Sequence, residues 1–115
     1  MPRWVPLAAR SEVRPGFGKF VRVEGRDLAV FNDGGEYYTI DDTCPHQGAS
    51  LGEGFLHEGR VICPWHSWAF DVRTGACPRV PHVAVEAYPT RVVETEIEVQ
   101  LPDVEADEAS DGSGS

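Results

Sequence analysis

Phe17-Gly18-Lys19-Phe20-Val21-Arg22-Val23 and Leu28-Ala29-Val30-Phe31 stand on either side of Glu24-Gly25-Arg26-Asp27, and Asp33-Gly34-Gly35 then leads into Glu36-Tyr37-Tyr38-Thr39-Ile40. β-Branched and aromatic residues in short runs, broken by glycine-bearing turns, predict an antiparallel meander. Working outward, residues 60–63, 68–71, 83–93 and 96–101 read as further strands. The last alternates Glu96, Glu98 and Gln100 on one face with Ile97, Val99 and Leu101 on the other, the period of a half-buried strand. No segment sustains a helical period. Twelve glycines and nine prolines punctuate the runs, which predicts an all-β antiparallel sandwich or small barrel whose loops carry the chemistry.

The 115 residues, 41% of them apolar, suffice for one small domain around one core. No run approaches the roughly eighteen apolar residues of a membrane span, and Met1-Pro2-Arg3-Trp4-Val5-Pro6 lacks the apolar stretch of a signal peptide. A soluble, cytoplasmic protein is therefore expected. Ten basic side chains stand against nineteen acidic ones for a net charge of −9, and Lys19 and the scattered arginines form no cluster, which argues against a nucleic-acid partner. Five of the acids (Asp103, Glu105, Asp107, Glu108 and Asp111) fall in residues 103–115, where there is no base and little to bury. That segment is expected to be a disordered acidic tail, solubilising the protein or steering it toward a basic partner.

Two short segments carry soft and borderline metal ligands: Cys44-Pro45-His46 and Cys63-Pro64-Trp65-His66, with sixteen residues between them. Each offers one thiolate and one imidazole. A zinc finger pairs its cysteines on one knuckle and its histidines on a helix, whereas two equivalent loops facing one another set both sulfurs to one side and both imidazoles to the other. Such an arrangement suits two irons bridged by sulfide, one held by Cys44 and Cys63 and the other by His46 and His66. A structural zinc, a single iron, or four unligated core residues are the competing readings.

With these residues the chain resembles the Rieske-type [2Fe-2S] family, whose C-x-H and C-x-x-H pairs lie about fifteen to seventeen residues apart. The likeness continues through Ile40-Asp41-Asp42-Thr43, Gly48-Ala49-Ser50-Leu51-Gly52-Glu53-Gly54 and Phe70-Asp71-Val72-Arg73-Thr74-Gly75. The resemblance implies an antiparallel β-sandwich with a small cluster-binding subdomain made of two loops. It places the domain over residues 1–102, with the cluster-binding part about residues 41–75. The cofactor it implies is one [2Fe-2S] cluster ligated by Cys44, His46, Cys63 and His66.

Two ferric ions, two sulfides and two thiolates sum to zero with neutral imidazoles, so an electron enters an uncharged centre more readily than a four-thiolate one. This is why histidine ligation raises the potential into a band of about −150 to +300 mV. High-potential respiratory members of the family carry a disulfide between the loops, and Ala49 and Trp65 stand at those places here. They also carry hydroxyls two and four residues after the second histidine, aimed at the cluster sulfurs, where this chain has Trp68 and Phe70. By resemblance the centre is low-potential, near the bottom of the band. Ser67 is expected to face solvent.

Cys77 lies outside the ligand pattern and is expected to be structural, and His57 and His82 are expected at the surface or in turns. His82 falls in Pro78-Arg79-Val80-Pro81-His82, which in relatives forms a proline-containing cover near the cluster. Trp65 and Trp68 read as walls that exclude water.

A cluster whose positions are all filled by protein and sulfide leaves no site for substrate, so no catalytic residue is assigned. No dinucleotide fingerprint is present: Gly16-Phe17-Gly18 lacks the third glycine and a following helix. The resemblance then implies a ferredoxin that carries one electron between a flavin-dependent reductase and a terminal oxygenase or similar enzyme. The length leaves no room for the mononuclear-iron domain of an oxygenase large subunit. The alternative is the small Rieske subunit of an NAD(P)H nitrite reductase, which the segment from Gly75-Ala76-Cys77-Pro78 through Ala87-Tyr88-Pro89-Thr90-Arg91-Val92 also resembles. An alternative of another class is a zinc-stabilised interaction module.

Overall fold

The computed structural model describes residues 3–44, 48–63, 68–78, 80 and 83–102. Among the described residues, ten strands form three antiparallel sheets: β1 (Arg3–Ala9), β10 (Glu96–Leu101) and β9 (Thr90–Val93) in the order β1-β10-β9; β2 (Gly18–Val23), β3 (Arg26–Asp33), β4 (Glu36–Asp41) and β8 (Ala87–Tyr88) in the order β2-β3-β4-β8; and β5 (Phe55–His57), β6 (Arg60–Ile62) and β7 (Ala69–Asp71) in chain order. The only helical pieces among the described residues are 3-10 turns at Arg10–Glu12 and Leu51–Glu53. The predicted all-β antiparallel class is the observed one.

The meander forms as expected, with tighter turns. Gly34 and Gly35, at φ 65° and 100°, join Asp33 to its partner Glu36, a backbone hand that matches the twist of the strands. Glu24 and Gly25, at φ 51° and 79°, make the other turn, so Arg26 and Asp27 belong to β3 and pair with Val23 and Arg22.

Strand β3 is buried on both faces, which explains its unbroken apolar run. Ala29 and Phe31 pack with Ile40, Val61, Phe70 and both Cys44 and Cys63. Leu28 packs with Tyr88, Val99 and Leu101, and Val30 with Val13 and Ile97. The β2-β3-β4-β8 sheet is thus the middle layer, with β10 against one face and the small β5-β6-β7 sheet with the cysteine segments against the other.

Several expectations needed revision. The strand predicted over 83–93 is two strands in different sheets, β8 beside β4 and β9 beside β10. Pro89 divides them because it has no N–H to donate; its carbonyl instead accepts from the Gln100 amide at 2.9 Å. Two strands escaped prediction: β1, which carries Pro6 and shifts register between Pro6 and Ala8, and the three-residue β5. The alternation of β10 is as expected, with Ile97, Val99 and Leu101 buried. Residues 103–115, expected as a tail, lie outside the described residues.

Candidate metal centre

Strand parity aims the two cysteines inward. Along β6, Val61 is buried and Ile62 faces out, so Cys63 turns back into the core; along β4 and its extension, Ile40, Asp42 and Cys44 share the buried side. Cys44 and Cys63 are each 1% exposed and belong to one packed cluster. Both segments close in the same way. The Cys44 amide donates to the Ala49 carbonyl at 2.9 Å, and the Cys63 amide to the Trp68 carbonyl at 2.7 Å, so each stem joins a cysteine to the residue five places on. The first stem is reinforced by a bridge between Thr43 and Ser50 and by the Gly48 amide on the Cys44 carbonyl at 2.8 Å.

The two predicted cysteines are therefore brought together in matching, buried settings, and neither lies in a disulfide. His46 and His66 lie outside the described residues, as do Trp65, Ser67 and His82. The two described cysteines fit a pair of thiolates on one iron of a two-iron cluster: two buried sulfurs, one from each loop, packed among apolar side chains. Ala49, where a disulfide-bearing relative would have cysteine, is buried.

Asp42 organises the first loop, a role that sequence reading missed. Its carboxylate Oδ1 accepts from Ser50 Oγ and from the Gly52 amide, both at 2.8 Å, and its carbonyl accepts from the Leu51 amide at 2.7 Å. Burial pushes the Asp42 carboxyl up from its ordinary value, and the bonds from Gly52 and Ser50 oppose that rise. A Cβ at position 52 would stand 2.9 Å from the Phe20 amide nitrogen, so glycine lets the 3-10 turn press against β2. The sequence signal was the polar Asp42 placed between two inward positions.

The same packed cluster contains Phe70, Val72, Val85 and Cys77, with Trp68, Val80 and Val83 packed against it in part. Trp68, expected as a wall that excludes water, packs partly buried against this cluster. Cys77 is fully buried in this cluster, in keeping with a structural role, and its carbonyl accepts from the Val80 amide at 3.1 Å. His57 is at the surface as expected, with Nε2 3.9 Å from the Glu58 carboxylate.

A second polar group ties β4 to β3 and β8. The Tyr88 hydroxyl donates to Asp41 Oδ1 at 2.7 Å and accepts from Arg26 Nη1 at 3.2 Å, while Asp41 Oδ2 accepts from the Glu86 amide at 3.1 Å. Burial, together with the bond to Asp41, pushes the Tyr88 hydroxyl up to about 12.

Known proteins agree with this geometry. Residues 3–89 match the Rieske [2Fe-2S] domain family. The chain is 37% identical over 103 residues to the anthranilate 1,2-dioxygenase ferredoxin subunit of Burkholderia cepacia, covering 88% of this chain and 94% of that one. The ferredoxin of carbazole 1,9a-dioxygenase from Nocardioides aromaticivorans IC177 superposes with a TM-score of 0.76 at 38% identity, covering 86% of this chain and 96% of that one. A Mycobacterium tuberculosis protein described as an NADH-dependent nitrite reductase small subunit superposes with a TM-score of 0.83 at 28% identity, covering 90% and 99%. A carbazole dioxygenase ferredoxin of the same fold has been solved in complex with its oxygenase. By contrast, the chain spans 17% of the length of a cholesterol 7-desaturase from Hemicentrotus pulcherrimus and 27% of a 4beta-methylsterol monooxygenase from Methylococcus capsulatus, at 35% and 31% identity. Family match, superposition and the paired buried cysteines converge: the chain belongs to the Rieske [2Fe-2S] family, and its cofactor is one Rieske-type [2Fe-2S] cluster.

Proposed function

We propose that the protein is a low-potential Rieske-type ferredoxin of the cytoplasm, carrying one electron from a flavin-dependent reductase to a terminal oxygenase or similar enzyme. The observation that carries this reading is its near end-to-end likeness to dioxygenase ferredoxins, coupled with two buried cysteines on matching loops. Cys44 and Cys63 hold one iron and His46 and His66 the other, within a domain of residues 1–102 whose cluster-binding part is about 41–75. Residues 103–115 carry five acids and no base.

When bound, the cluster supplies one-electron chemistry in a band of about −150 to +300 mV. The chain contributes the surroundings. The buried apolar cluster around Cys44 and Cys63 excludes water from the sulfur side, and Trp68 and Phe70 offer no hydroxyl to the sulfurs, which keeps the potential low.

The superposition on the nitrite reductase small subunit supports a second reading, a reductase subunit with the same cofactor. Electron-paramagnetic resonance of the dithionite-reduced protein, together with film voltammetry, tests the first part: a rhombic Rieske signal and a potential near the bottom of the band are expected. Turnover of an oxygenase with a flavin reductase, dependent on added protein, then separates carrier from subunit. Zinc without sulfide in the metal analysis would return the chain to the interaction-module reading.

A further inference from the structure

The small sheet that leads into the second cysteine loop has two unlike faces. Val61 and Phe70 are buried and Leu56 packs against the same core, whereas Phe55, Ile62 and Ala69 have the opposite parity and face outward. Register aligns these three: Phe55 opposite Ile62, and Ile62 opposite Ala69. Phe17, bridged antiparallel to Phe55, extends the row by one residue. Cross-strand partners carry their side chains on one face about 5 Å apart, so the four form a continuous apolar stripe. Phe17 is 46% and Phe55 52% exposed, and Ile62 and Ala69 are partly so.

The position of this stripe is specific. It is the last rung of the sheet before the loop: Cys63 follows Ile62, Trp68 precedes Ala69, and these two are joined by the bond that closes the stem. On its other side the next outward rung is polar, with His57 opposite Arg60 and Arg60 opposite Asp71. The Arg14 guanidinium lies 5.0 Å from the centre of the Phe17 ring. An apolar centre with aromatic residues, rimmed by arginine and other polar groups, is the anatomy of a protein contact.

The size of the stripe selects the occupant. Two half-exposed phenyl rings offer about 100 Å² each. That is far below the roughly 800 Å² per partner of a stable complex and on the scale of a brief redox encounter. We propose that Phe17, Phe55, Ile62 and Ala69 form the contact on which a redox partner protein docks transiently beside the Cys63 loop. The proposal rests on the electron-carrier reading above. The occupant is the electron donor, the flavin-dependent reductase.

The test measures NADH-driven electron flow from a flavin-dependent reductase to cytochrome c as the cluster-loaded, full-length protein is titrated. Phe17→Ser with Phe55→Ser is expected to raise the KM for the protein about tenfold while kcat stays within about twofold. Its paramagnetic signal and potential should match those of the wild type. Val92→Ser with Val93→Ser removes comparable exposed apolar surface from β9, in another sheet, and should leave KM unchanged. An unchanged KM in the phenylalanine variant, or an equal rise in the valine variant, overturns the proposal. Sedimentation showing a wild-type dimer that the phenylalanine variant dissociates would also overturn it, by assigning the stripe to a second copy. If the double variant loses its cluster, Phe55→Gln alone is measured against the same criteria. A wild type that keeps its signal yet accepts no electron defeats the carrier reading itself, a failure seen before any variant is compared.

Discussion

The Cys63 amide donates to the Trp68 carbonyl at 2.7 Å, one rung beyond the pairing of Ile62 with Ala69. The second loop is therefore a continuation of the β6–β7 ladder, and the ladder's parity turns the Cys63 thiol inward. The first loop repeats the device, with Cys44 closing on Ala49 at 2.9 Å. Two hairpin-like stems present the cysteines in equivalent settings, and their consequences can be tested separately.

Cys63→Ser and His66→Ala should each abolish the two-iron absorption and paramagnetic spectra and loosen the loops, because ligation and local folding are coupled. Metal and sulfide analysis of the purified variants checks this. An intact rhombic signal in His66→Ala would falsify the ligand assignment.

Asp42→Ala leaves the buried Gly52 amide and the Ser50 hydroxyl without their acceptor. A loss of about 1–3 kcal/mol in unfolding free energy is expected, read from the denaturant midpoint. Ser50→Ala should cost less, since the Gly52 bond remains.

Gly75→Ala places a Cβ 1.9 Å from the Val85 carbonyl oxygen, in a backbone at φ 81° that disfavours any side chain. The Val85 amide donates to the Gly75 carbonyl at 2.9 Å, so the two strands of backbone have no room to part. About 2 kcal/mol or more of stability should be lost, seen as a fall in Tm.

Tyr88 titrates at about 12 in the folded protein against an ordinary value of 10.0, because burial and Asp41 favour the neutral hydroxyl. The unfolded chain thus releases this proton first. The corresponding stability is whole below pH 10 and is lost as pH rises toward 12, by about 1–2 kcal/mol after allowance for solvent screening at this half-buried group. Tyr88→Phe should be less stable at neutral pH and lack that component of the alkaline fall; parallel curves for the two proteins would contradict the linkage.

Trp68→Ser introduces a hydroxyl two residues after His66, at a position packed against the cysteine cluster. A hydrogen bond to sulfur stabilises the reduced state, so the reduction potential should rise. Film voltammetry giving an equal or lower value would remove Trp68 from the account of the low potential.

Much of the architecture was legible because the relevant information is local. Gly34-Gly35 announces its turn through backbone geometry, β10 announces its buried face through alternation, and the spacing of Cys44, His46, Cys63 and His66 announces the family. Less legible were β1, where Pro6 masks an edge strand, and the break at Pro89, where a continuous apolar run changes sheets. Asp42 reads as an ordinary loop acid until Gly52 and Ser50 are seen to surround it.

The sequence by itself determined the all-β class, the meander and the paired cysteine and histidine spacing on which the family likeness rests, since turn chemistry, period and residue spacing are properties of neighbouring residues. Only the tertiary structure decided that β3 is buried on both faces and that Cys44 and Cys63 share one dry cluster. It likewise decided that Phe17, Phe55, Ile62 and Ala69 line up in one stripe. These depend on ladders joining distant residues, such as Arg3 with Leu101 and Thr39 with Tyr88. Which strands pair, and in which register, is settled by the burial of all the faces at once, a collective property that no single segment encodes.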